Sequence, residues 1–207
     1  MLRRPVPIAV ATPPAAEGMR IGLMGGSFNP PHAGHLVAAA TAMKKLRLDR
    51  LWWLVTPGNP LKARAGLASL EARVEAIDRL VRDPRQVVTT FEAELGTAFT
   101  AETIGFLVAR FPASRFVWVM GADNLATFHH WQNWRGIADA VPIAVVDRPH
   151  HTLAALASPA ARALARHRIA EAEARLLPDR EPPAWVFLTC RRSALSSTLI
   201  REQGGNM

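Results

Sequence analysis

The sequence predicts an α/β fold: a Rossmann-like parallel sheet with helices on both faces. Three observations predict it. Strand-like apolar runs alternate along the chain with segments of helical periodicity. The run Leu51–Val55, LWWLV, is continuously apolar, as a strand buried on both faces of a parallel sheet must be. The segments of unusual composition all follow such runs, at the carboxyl ends where open α/β sheets bind ligands.

The elements follow in order. Residues 1–18 hold four prolines among small and apolar residues, which predicts a flexible extension rather than a signal peptide, because the apolar stretch is short and interrupted. Residues 19–207 read as one domain. Met19–Met24 is the first strand. Leu36–Leu46 is the first helix, with Lys44 and Lys45 near the end that favours cations. Leu51–Val55 is the second strand, and the loop TPGNPLKARAG, Thr56 to Gly66, carries Lys62 and Arg64. Ser69 begins a helix with Leu70, Val74, Ile77 and Val81 at core spacing and Glu71, Arg73, Glu75 and Arg79 facing water. Gln86–Thr90 is a short strand. A helix from Thr100 ends before Pro112. Arg115–Met120 is a strand that runs into Gly121-Ala122-Asp123 and an aromatic segment. Pro142–Val146 is a strand. Thr152–Leu177 is Ala-rich, charged and helical, with a break expected near Ser158-Pro159. Trp185–Thr189 is the last strand, and a final helix opens at Leu195–Arg201 with a serine cap.

Composition limits the function classes. Hydrophobic residues make up 49%, which supplies a core and excludes general disorder. No apolar run reaches the ~18 residues of a membrane span. The single Cys190 cannot form an internal disulfide, so a reducing cytoplasm is expected. The net charge of +8 favours anionic partners such as nucleotides, although no nucleic-acid-binding motif is present.

The stretch Ile21–Leu36, IGLMGGSFNPPHAGHL, carries the chemistry. Gly25 and Gly26 after a strand let the backbone come close to a ligand. The first N–H groups of the next helix lack intrahelical partners, and the helix dipole is positive there, so an anion binds readily. His32 and His35 lie about one turn apart and can donate to phosphate oxygens, with positive charge when protonated. Both G-x-G-x-x-G and a Walker-type G-K-[ST] are absent. Ser196, Ser197 and Thr198 offer hydroxyls and N–H groups at a second helix start, with Arg201 one turn in. This can hold a triphosphate tail or serve as a plain cap. Trp131 offers a flat apolar face on which a ring could stack, and core packing beside Trp134 is the other reading.

The motif GSFNPPHAGH (26–35) and the segment LSSTLIR (195–201) resemble the two signatures of the HxGH nucleotidyltransferase superfamily. TPGNPLK (56–62), AFTAETI (98–104) and GADNLATFHHW (121–131) are similar to segments of its bacterial nicotinate-nucleotide adenylyltransferase family. The resemblance spans about Met19 to Arg201. Asn29 stands where Asp is commoner, Leu195 where Ile is commoner, and NPLK where many relatives have PPHK.

The resemblance implies a fold of nucleotidyltransferase type and a reaction: ATP plus nicotinate mononucleotide gives nicotinate adenine dinucleotide and pyrophosphate. It implies that His32, His35, Lys62 and Arg201 are catalytic. Gly25, Gly26, Ser27, Phe28, Gly121, Asp123, Ser196, Ser197 and Thr198 would join the histidines and Arg201 around ATP. Asn59, Lys62, Thr100, Trp131 and Arg148 would hold the mononucleotide. The acceptor phosphate is already ionised, so no general base and no covalent intermediate are expected. Mg²⁺ would be held through substrate phosphates, with no metal site of the protein's own. Neither nucleic acid nor membrane is expected as a partner, and a homo-oligomer is left open. The alternatives are another HxGH enzyme, such as a phosphopantetheine adenylyltransferase, and a non-catalytic basic nucleic-acid-binding protein.

Overall fold

The computed structural model describes residues 10–58 and 66–190. Six strands form one sheet, β1 (Arg20–Gly26), β2 (Arg50–Val55), β3 (Gln86–Thr89), β4 (Arg115–Gly121), β5 (Ile143–Val146) and β6 (Trp185–Leu188). Their order is β3-β2-β1-β4-β5-β6, and every pair is parallel. Each strand expected from the sequence is present within two residues at either end. The order reverses direction between β1 and β4, which opens a crevice at the carboxyl ends of those strands.

The two faces are set by side-chain alternation. Trp52 and Trp53 are adjacent, both essentially inaccessible, and belong to opposite cores. Helices α1 (Ala33–Leu46) and α2 (Leu70–Leu80) cover the Trp53 face. Helices α3 (Phe91–Leu95), α4 (Thr100–Arg110), α5 (Ala122–Thr127) and α6 (Trp134–Ala140) cover the Trp52 face, with short α7 (Thr152–Leu156) and α8 (Pro159–Ala163) beside them. α3 has no counterpart in the sequence reading, because five residues are too few to show a helical period.

Three expectations change. α1 starts at Ala33 rather than Leu36, because the His32 ring takes the capping role and accepts from the Gly34 N–H at 3.1 Å. Thr152–Leu177 breaks at Ser158-Pro159 as expected, but beyond α8 it is not α-helical. Ser158 caps α8 with Pro159 at its first turn, and Ala165–His167 and Glu171–Asp179 are 3₁₀ turns. Residues 10–18 lie against the domain rather than free of it. Val10 is buried in the same core as β1, Ala11 N–H donates to Glu94, Ser114 donates to the Ala16 carbonyl, and Gly18 N–H donates to Ala113. Proline content forbade regular structure here without forbidding contact. Among the described residues no helix is long and apolar enough to cross a membrane.

Candidate active site

The end of β1 and the start of α1 fix both imidazoles. His32 is the N-cap and His35 lies in the first turn, so a single helix entrance holds the pair. Gly34 N–H donates to His32 Nδ1 at 3.1 Å, and His32 N–H donates to His35 Nδ1 at 3.2 Å. A ring nitrogen that accepts from an amide carries no hydrogen, so both rings are held as Nε2–H tautomers. The rings lie 3.8 Å apart between centroids, and the His35 ring meets the edge of Phe28 at 5.0 Å. Phe28 holds a left-handed backbone, φ 47°, while fully buried, a strain of about 1–2 kcal/mol kept at the turn.

Of the two states the sequence allowed for His32, neutral donor or protonated cation, the structure favours the first. Burial, then the nearby Arg148 guanidinium, lower its pKa to about 4, with Asp123 opposing. It is a neutral donor at pH 7. The β1 glycines also serve packing. A Cβ on Gly25 would lie 2.5 Å from the Trp118 ring, and one on Gly26 would lie 3.0 Å from the Phe28 ring. On that side the missing side chains make room for packed rings.

Arg148 follows β5 and reaches back to this entrance. A Cβ on Gly34 would lie 2.9 Å from one of its Nη atoms. Its Nε stands 3.7 Å from Asp123 Oδ1, at the end of β4, too far for a hydrogen bond. Both atoms are buried and lack a hydrogen-bond partner among the described residues. An ion pair that leaves both members short of hydrogen bonds is ready for a ligand with donors and acceptors of its own. Gly121 is the last residue of β4, so Gly121, Asp123, Arg148, His32 and His35 occupy one region.

Trp131, which follows α5 in the chain, is half-buried. It meets Trp118 and Phe128 edge-on, at 6.2 Å and 5.4 Å. Thr100 opens α4, which packs on α6 just beyond Trp131. The rings of His129 and His130 lie 3.9 Å apart between centroids, tilted by 42°. Asn59, Lys62, Ser196, Ser197, Thr198 and Arg201 lie outside the described residues, as does the helix expected from Leu195.

Two buried polar groups escaped the sequence reading. Arg73, expected to face water, is 2% exposed, and its guanidinium is bonded to four carbonyl oxygens. Its spacing of four from the buried Ile77 was the available signal. Glu92 is buried in α3 and accepts from the Thr103 hydroxyl at 2.7 Å. Burial pushes its pKa up to about 7, against hydrogen bonds from Thr103 and Thr56. Among the described residues no three of His, Cys, Asp or Glu gather as a metal-ligand set, so the donors there do not form a cage for a resident ion.

Comparison with known proteins adds the family. The cytidylyltransferase-like family model matches residues 23–203. A probable nicotinate-nucleotide adenylyltransferase of Bradyrhizobium sp. (strain ORS 278) is 56% identical over 188 residues, which is 91% of this chain and 98% of that protein. One of Agrobacterium fabrum is 56% identical over 184 residues, 89% and 98% of the two chains. Among solved structures, Plasmodium falciparum nicotinic acid mononucleotide adenylyltransferase complexed with NaAD superposes with a TM-score of 0.65 at 13% identity. The superposition covers 89% of this chain and 83% of that one, and it bears out the fold.

Proposed function

The chain belongs to the cytidylyltransferase-like family and, within it, to the nicotinate-nucleotide adenylyltransferases, and from that premise we infer that it transfers the adenylyl group of ATP to nicotinate mononucleotide, releasing pyrophosphate. One observation carries the chemistry: two imidazoles at one helix entrance, each accepting a backbone amide at Nδ1, which puts the ring hydrogen on Nε2.

The acceptor's phosphate oxygen attacks the α-phosphorus of ATP in line, its P–O bond forms, and the bond to pyrophosphate breaks. The nucleophile is ionised before it arrives, so the protein supplies alignment and charge stabilisation. His32 and His35 donate Nε2–H to phosphate oxygens as charge grows on the leaving group. A neutral His32 serves here, because a donor that need not lose or gain a proton works across the neutral range. The positive end of the α1 dipole adds to this anion site, and Gly25, Gly26, Ser27 and Phe28 shape its floor. Asp123 takes a ribose hydroxyl or the adenine side. Arg148 was read from the sequence as a contact to the mononucleotide phosphate. Its place beside Asp123 and His32 supports a phosphate contact on the ATP side of the cleft. Trp131 stacks on the pyridine ring, and Thr100 with the α4 N–H groups receives its carboxylate. Asn59, Lys62, Ser196, Ser197, Thr198 and Arg201 complete both sites on the strength of their motifs. Mg²⁺ enters as part of the MgATP substrate.

Both substrates are phosphorylated small molecules, and with a single cysteine the reading extends to a cytoplasmic enzyme that needs neither nucleic acid nor membrane. Pyrophosphate release with ATP and each of nicotinate mononucleotide, nicotinamide mononucleotide and phosphopantetheine tests it. The nicotinate compound should give the highest kcat/KM. Preference for phosphopantetheine would overturn the assignment.

A further inference from the structure

Thr56, the first residue after β2, is held at every polar atom. Its N–H donates to the Gly26 carbonyl at 3.1 Å, across to the end of β1. Its hydroxyl donates to Gly58 O at 3.1 Å and lies close enough to the Glu92 carboxyl to influence its titration. Its carbonyl accepts from Arg73 Nη1 at 2.8 Å. The same Nη1 donates to the Ser27 carbonyl, also at 2.8 Å. Arg73 Nε reaches the carbonyls of Ala68 and Ser69, at 3.0 and 3.3 Å, which anchors the guanidinium to the α2 start.

One guanidinium nitrogen therefore joins two strand ends, and its charge meets no carboxylate at hydrogen-bond distance among the described residues. Ser27 and Phe28 lead into the turn that ends at His32, and Thr56 begins the loop that follows β2. A planar fork aimed at several carbonyls holds both ends in fixed register, and a lysine, with a single point of charge, cannot copy it. Glu92 approaches Thr56 from α3, on the other face of the sheet, and is itself held by Thr103 of α4. An ordinary buried arginine would sit against an acid. This one spends its donors on backbone at the rim of the cleft.

We propose that Arg73 is a positioning residue for adenylyl transfer: by tying the Ser27 and Thr56 carbonyls together it sets the spacing between the ATP cradle at β1 and the β2 end, the strand end that leads in sequence to Asn59 and Lys62. This role rests on the adenylyl-transfer reading. In-line displacement is sensitive to such spacing, since a misplacement of about 1 Å can cost on the order of 10²-fold.

The test is Arg73→Lys, which keeps the charge and loses the fork. Steady-state kinetics should give kcat about 10–100-fold lower with KM for ATP within about threefold, because the cradle persists while alignment fails. Amide hydrogen exchange on the same protein, without substrate, should speed up at residues 26–28 and 56–58 together, with the α2 amides still protected. A folded variant with kcat within about twofold of the parent, or faster exchange confined to residues 68–73, would overturn the role. If the parent enzyme released no pyrophosphate with nicotinate mononucleotide, the substrate reading would fail, and the paired exchange would still decide the tie. If the lysine variant did not fold, NMR of the parent would decide. The Arg73 guanidinium should show separate, slowly averaging Nη signals that shift when a non-hydrolysable ATP analogue binds. Averaged signals, or signals indifferent to the analogue, would overturn it.

Discussion

Arg148 and Arg73 are both guanidiniums at strand ends, on opposite sides of β1, and they are treated differently. Arg148 stands 3.7 Å from Asp123 with neither group hydrogen-bonded across the gap, and it depresses the His32 pKa. Arg73 is buried with four carbonyl partners, and Thr56 beneath it has no polar atom unused. The first region keeps its polar groups under-satisfied, which costs stability unless a ligand supplies the missing bonds. The second satisfies its polar groups internally, which stiffens a frame. A site that must receive a nucleotide and hold it in line needs both, and here they share the turn from Gly25 to His32.

Four predictions bear on that contrast, from the largest effect down. His35→Ala removes a donor from the under-satisfied side, and kcat should fall about 10²–10³-fold, the scale of one preorganised donor, with circular dichroism unchanged. Near-parental turnover would remove His35 from the chemistry. Trp131→Ala should raise KM for the mononucleotide about 5–10-fold through a lost stack of roughly 1 kcal/mol, with KM for ATP little changed. An equal rise in both constants would make Trp131 a packing residue. Arg148→Met should move the His32 titration, followed by ring NMR, up from about 4 toward its ordinary 6.5, since one depressing charge is gone. An unmoved midpoint would separate the two groups.

The fourth prediction concerns stability against pH. Glu92 in the folded protein holds its proton to about pH 7, while unfolded it releases it near 4.5. The folded state therefore binds more protons between those values, and this group's contribution to stability declines as pH rises through that window. Glu92→Gln should flatten that decline in denaturant titrations at pH 5 and 7. His32 acts in the opposite sense. Its lowered pKa makes acidification from 6.5 toward 4 destabilising, and His32→Asn should relieve that loss.

The sheet was legible because LWWLV and its counterparts admit hardly any other reading, and because GSFNPPHAGH marks the end of β1 in any setting. His32 and His35 could be paired from spacing alone. Their tautomers could not, because these depend on which amide meets which ring nitrogen. Arg73 was misread because charge at a helix position suggests solvent, and only the carbonyls of Ser27 and Thr56, both distant in sequence, justify its burial. Glu92 gave no warning either, since its partner Thr103 belongs to another helix. Val10 was hidden by the prolines around it.

The most direct measurement is a ¹⁵N-histidine NMR spectrum of the enzyme at pH 7, before and after adding a non-hydrolysable ATP analogue. His32 and His35 should both appear as neutral Nε2–H imidazoles, and their Nε2 signals should shift as the analogue saturates. A charged ring, a hydrogen on Nδ1, or Nε2 signals that ignore the nucleotide would contradict the account.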